Sequence, residues 1–158
     1  MKQLFLLAIC MVFVFASKAQ TNADEIALVQ SAFGMGKKEL IVEHMKITDA
    51  ESATFWKLYD EYEAARKELG KMRFENITAY AKAYGTLTNE DATKLMNKSF
   101  EIRSKTEKLY KDTFKKMSKA PLSPVRAAQF IQVEEYLEGM VRTQLSSEIP
   151  LIGEFEKK

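Results

Sequence analysis

The sequence predicts an all-α fold: a long antiparallel helical hairpin with two flanking helices. Three observations carry that reading. Apolar residues recur every three or four positions through most of the chain, which is the period of a helix face and not of a strand. Three helix-start signatures stand in line, Ile47-Thr48-Asp49-Ala50-Glu51, Leu87-Thr88-Asn89-Glu90-Asp91 and Leu122-Ser123-Pro124. No long Gly/Ser/Pro stretch separates the segments they open.

Each element has its own justification. The first is expected over roughly 23–46, on a broken stripe of Ile26, Val29, Phe33, Leu40, Ile41 and Met45, with Gly34 and Gly36 weakening its middle. The second opens at Thr48 as N-cap, with Glu51 placed to reach back to it. It is expected to reach Tyr84 and stop at a left-handed Gly85. Phe55, Leu58, Tyr62, Ala65, Leu69, Met72, Asn76, Ala79 and Ala83 alternate by three and four along it, a seam that calls for a partner helix. The third opens at Thr88 and keeps the same spacing through Ala92, Leu95, Ser99, Ile102, Thr106, Leu109 and Thr113 to Met117. The short Gly85-Thr86-Leu87 link turns it back along the second. The fourth opens at Ser123, with Pro124 at the first helical position. Val125, Phe130, Val133, Leu137, Met140, Val141 and Gln144 form its predicted face, and it ends near Ser147. The apolar Ile149-Pro150-Leu151-Ile152 that follows is expected to dock.

The first nineteen residues read differently. Lys2, an apolar run from Leu4 to Ala16, and small residues at Ser17 and Ala19 follow the order of a secretory signal peptide cut after Ala19. Thirteen apolar residues are short for a membrane-spanning helix, and Cys10 lies inside the run, preceded by a bulky Ile9, which argues against lipidation. The expected location is the periplasm. The remaining residues, 20–158, are expected to form a single all-α domain with a short polar leader and no membrane segment.

Removal of residues 1–19 would take with it Lys2, Lys18 and the one cysteine. The full chain carries 24 basic and 22 acidic residues, so the exported form would be neutral at 22 of each. A neutral chain gives no ground for a nucleic-acid partner, whose phosphates require a clustered basic surface. One histidine, His44, near Glu39 and Glu43, is a poor basis for a metal site. No catalytic set, glycine-rich phosphate loop or cofactor motif is visible. The expectation is a non-enzymatic protein without metal or cofactor.

What the sequence does offer is a wide apolar arc. Beside its seam the second helix carries another stripe, Trp56, Tyr59, Phe74, Ile77 and Tyr84, so the arc covers about half of the helix. It packs on two neighbours, or part of it is open to a partner. The exported form would have five Arg against 17 Lys. Arg66, Arg73, Arg103 and Arg126 fall inside apolar arcs, where an arginine must snorkel, stack or pair with an acid. Either these are structural ion pairs, or they line a face both apolar and cationic. Trp56, Tyr59, Arg66, Arg73, Phe74 and Arg103 are the candidate partner-binding residues.

The chain resembles the Spy/CpxP-like periplasmic helical proteins. Ile47-Thr48-x-x-Glu51 and Leu87-Thr88-x-x-Asp91 correspond to the L-T-x-x-Q pattern of that family, with Glu51 and Asp91 at the Gln position. Phe55-Trp56-Lys57-Leu58-Tyr59-Asp60-Glu61-Tyr62, Leu122-Ser123-Pro124 and the closing Ile149-Pro150-Leu151 are similar to segments of small exported proteins labelled sensors of ECF-type sigma factors. The resemblance implies a bent helical hairpin, often a cradle-shaped homodimer. It also implies one of two roles. One is ATP-independent holding of unfolded envelope proteins; the other is stress sensing with a membrane-bound regulator as partner.

Overall fold

The computed structural model describes residues 36–152, and the chain divides after Ile47. The expected signal peptide, the polar leader and the start of the first helix lie outside the described residues. Among those described the fold is all-α, with no strand.

In the first unit residues 36–45, here α1, are helical. Lys37, Ile41 and Met45, four apart, are buried, while Leu40 is 39% exposed. The helix ends at Lys46, whose φ of 45° lies in the left-handed region. Its N–H still reaches the Val42 carbonyl at 3.3 Å. His44, Glu39 and Glu43 are all exposed on this helix.

The second unit holds three helices, α2 (Asp49–Ala83), α3 (Asn89–Met117) and α4 (Pro124–Glu148). Their starts follow the sequence signatures. At α2 the Glu51 carboxylate accepts both the N–H and the hydroxyl of Thr48, at 3.0 and 2.8 Å. At α3 the box is fully reciprocal: Thr88 Oγ1 accepts the Asp91 N–H at 3.1 Å, and Asp91 accepts the Thr88 N–H at 3.3 Å. At α4 the Ser123 hydroxyl accepts the Arg126 N–H at 3.2 Å, with Pro124 at the first position. Leu122 and Ala127, the two positions a hydrophobic staple uses, are both buried. Thr88→Ala removes an acceptor that no other side chain supplies. The expected cost is about 1 kcal/mol, read from the denaturant midpoint; an unchanged midpoint would mean that solvent caps α3 as well as the threonine does.

The link from α2 to α3 differs from expectation. Gly85 does not take a left-handed conformation. The chain instead tightens into a 3₁₀ turn, Tyr84–Thr86. Shorter-range bonds use the carbonyls that a left-handed glycine would otherwise have capped.

Side-chain bonds set the helix directions. Lys116 meets Glu61 at 2.9 Å, and the Asn76 amide donates to Leu95 O and Ser99 Oγ at 3.2 and 3.0 Å, so α3 runs antiparallel to α2. Arg126 meets Glu51, Tyr62 meets Glu134 and Arg73 meets Glu138, so α4 runs in the same direction as α2. The α3 seam is as expected, with Ile102, Thr113 and Met117 buried and Leu95, Ser99, Thr106 and Leu109 half-buried. The α2 seam departs in part: Phe55 and Tyr62 are buried and Leu58, Leu69, Met72, Asn76 and Ala83 half-buried, but Ala65 and Ala79 are exposed, while Tyr59 and Glu63 outside the seam are buried. On α4, Val125 is 73% and Met140 41% exposed, and the buried face is Ala127, Phe130, Glu134 and Leu137. The reason in both cases is that α2 meets two helices at once, so burial centres between the stripes instead of on a two-helix seam.

Candidate functional site

The interior of the second unit is aromatic at one level and ionic at the next. Phe130 on α4 meets Phe55, Tyr59 and Tyr62 of α2 edge-on, with ring centres 5.9, 6.1 and 5.1 Å apart. Trp56 stands edge-on to both Phe55 and Tyr59. Below them, the Tyr62 hydroxyl donates to the buried Glu134 carboxylate at 2.7 Å. Tyr62 also stacks on Tyr110 of α3, at 6.3 Å. Tyr110 in turn donates to Glu138 at 2.6 Å, and Arg73 donates to the other oxygen of that carboxylate at 2.7 Å. Glu138 therefore joins all three helices.

The electrostatics fix these roles. Burial raises the Tyr59, Tyr62 and Tyr110 hydroxyls well above the usual phenol value, and neighbouring carboxylates push in the same direction. They stay protonated, so each keeps an O–H to donate. Burial acts to raise Glu138 as well, but bonds from Tyr110 and Arg73 outweigh it and hold the carboxyl below its usual range. Glu51 is lowered to about 2, chiefly by the Arg126 guanidinium and then by the Thr48 N–H and hydroxyl. An Arg73 cation and a Tyr110 phenol facing the ionised Glu138 tie α2 and α3 to one register of α4. Among the described residues, no group of three or more His, Cys, Asp or Glu is placed to hold a metal ion.

The arginines separate into two kinds. Arg66 makes a two-pronged bond to Glu63, at 2.9 and 3.1 Å. Arg126 forks onto Glu51 at 3.0 and 3.1 Å, and Arg73 holds Glu138. All three are half-buried. Arg103 is exposed and lies 5.7 Å from the ring centre of Phe100. Of the other sequence candidates, Tyr59 is buried at 3% exposure, and Trp56 and Phe74 are half-buried. The six candidates therefore do not share one open face.

The structure instead gathers an apolar stripe around Arg103. Met96, Phe100 and Phe114 are 43, 53 and 41% exposed. At about 100° per residue, these three and Arg103 fall within roughly 60° of one another, about a quarter-turn from the α3 seam. Sequence reasoning missed Met96, Phe100 and Phe114. The signal was present, since Met96 and Phe100 are one turn apart and Phe114 lies about five turns beyond Met96. The α2 arc is the richer in aromatics and gives the stronger signal. Most lysines of α3 lie on another side, in pairs such as Lys98–Glu101 and Lys105–Glu101 at 3.0 and 2.6 Å, each of little energetic weight; the Lys111–Glu107 pair at 3.3 Å interrupts the stripe between Phe100 and Phe114. No described helix is long and apolar enough to cross a membrane. Compared with known proteins, the chain matches no family model, no curated protein and no solved structure.

Proposed function

We propose that this chain is an exported, ATP-independent holding protein of the Spy/CpxP-like kind, which binds unfolded polypeptide in the periplasm. The observation that carries the reading is on α3: Met96 and Phe100 stand 43 and 53% exposed beside the exposed Arg103, and Phe114, 41% exposed, lies further along the same side beyond Glu107. Leaving such a row in water costs free energy that a client would recover on binding. Arg103 over Phe100 adds a cation that can meet a client's carboxylates or its aromatic rings. The binding face then lies on α3 and not on α2. It leaves Arg66, Arg73 and Arg126 to hold the fold.

The expected result is suppression of aggregation of a denatured test protein at about stoichiometric amounts. Changing Met96, Phe100 and Phe114 together to serine should weaken that effect by about tenfold or more, as loss of exposed anchors does at other interfaces. The unfolding midpoint should fall by much less than for a core substitution such as Phe130→Ala, because about half of each side chain is already in water. No suppression at tenfold excess by the parent chain sinks the reading. Capture of one dominant envelope protein without holding activity would favour a partner of a membrane-bound regulator instead.

A further inference from the structure

The segment after α4 docks mainly through its backbone: Ile149 is half-buried, but Pro150, Leu151 and Ile152 are exposed. The Tyr80 hydroxyl donates to the Pro150 carbonyl at 2.8 Å, and the Tyr84 hydroxyl to the Leu151 carbonyl at 2.7 Å. The two rings stand edge-on, 5.5 Å apart, one turn from each other at the end of α2. Leu151 and Ile152 meanwhile remain 75 and 66% exposed. Two hydroxyls thus read consecutive main-chain carbonyls of a non-helical segment, without reference to its side chains. Carbonyls free to accept in this way are abundant in an unfolded chain, whereas a helix interior has already used its own.

We propose that the Tyr80–Tyr84 pair is a docking site for extended polypeptide, read through its backbone carbonyls, and that the chain's own Ile149–Ile152 segment occupies it until a client segment displaces it. The inference rests on the client-binding reading above and adds a second contact to it. The tail leaves room for a better occupant, since Leu151 and Ile152 gain little from the bound position. A client that also covers the α3 stripe gains there as well, and two linked contacts outcompete one. The stripe is within reach: Asn76, one turn before Tyr80, bonds Leu95 and Ser99, which places Met96 and Phe100 at the same end of the α2–α3 pair.

The test uses the full chain with Cys10→Ser and Ile152→Cys, carrying a fluorophore on the thiol at position 152. Two ligands are added separately, the capped hexapeptide of residues 147–152 and a reduced, carboxymethylated lysozyme. The expected result is a fall in anisotropy at position 152 with either ligand, as the tail is released. With Tyr80→Phe and Tyr84→Phe together, the tail should be more mobile than in the parent chain before any ligand is added, and affinity for the hexapeptide should fall about tenfold, the weight of two such bonds. The unfolding midpoint should be unchanged. A label that stays immobile while lysozyme binds overturns the proposal, as does undiminished hexapeptide binding by the phenylalanine variant. The hexapeptide measurement needs no aggregating client. A chain that binds it through these hydroxyls, yet lets denatured protein aggregate, supports the site and fails only the holding function.

Discussion

Phe130→Ala is expected to destabilise the second unit by about 3–5 kcal/mol. Phe130 is fully buried and is the one α4 ring that touches Phe55, Tyr59 and Tyr62 together. Truncation removes its own transfer energy and three edge-on ring contacts, each worth about 0.5–1.5 kcal/mol. It also opens a cavity walled by α2, a helix whose end is fixed by the Glu51–Arg126 fork and cannot simply collapse inward. Thermal unfolding followed by helix signal reads the effect. Phe130→Leu should recover more than half of it, because volume matters more here than ring chemistry. If Phe130→Ala costs less than about 1 kcal/mol, a typical value for an unremarkable substitution, the cluster does not hold α4 to α2 and the packing described above is wrong.

How much of this was legible in the sequence depends on whether the signal is local. Thr88 with Asp91, and Ser123 with Pro124, act within one turn, and the helices begin where those residues stand. The α3 seam is legible for a related reason, since it faces inward along its whole length. The α2 seam failed because a period of three and four presumes one partner. Two partners added Tyr59 and Glu63 to the buried Phe55 and Tyr62 of the seam and left Ala65 and Ala79, which gain little from burial, in solvent. Glu134 was within reach of the sequence: it lies four residues after Phe130 and three before Leu137, on the same face. What no periodicity conveys is its acceptor role, because the donor, Tyr62, is 72 residues away. The same holds for the arginines. Their placement in apolar arcs is a sequence fact, but the choice between ion pair and open face needed the positions of Glu51, Glu63 and Glu138. Three of the four went to the acids.

Glu138 is where removing a single charge should reveal the ionic half of the core. Its carboxylate accepts from Arg73 on α2 and Tyr110 on α3, and the Arg73 and Glu138 side chains are only 26 and 22% exposed. Glu138→Ala leaves a half-buried guanidinium and a phenol without their acceptor. Removing one partner of a fully buried pair costs about 3–5 kcal/mol; partial solvent screening brings the expectation here to about 2 kcal/mol. The pH dependence follows from the direction of the shift. The folded carboxyl lies below the ordinary 4.5, so its contribution is fully present above that value. It is lost as pH falls through the lower, folded value. The gap in midpoint between the parent chain and Glu138→Gln should therefore be constant from pH 7 to about pH 5.5 and should narrow below 4.5. A gap that stays the same at pH 3 would show that the glutamine acts through shape and not through charge. The triple variant Arg73→Met, Tyr110→Phe, Glu138→Leu sharpens the point. It removes donor and acceptor together, so it should recover most of the stability that Glu138→Ala loses. If it recovers it, the network contributes little net stability, and its physical role is to exclude other registers of α4 between α2 and α3.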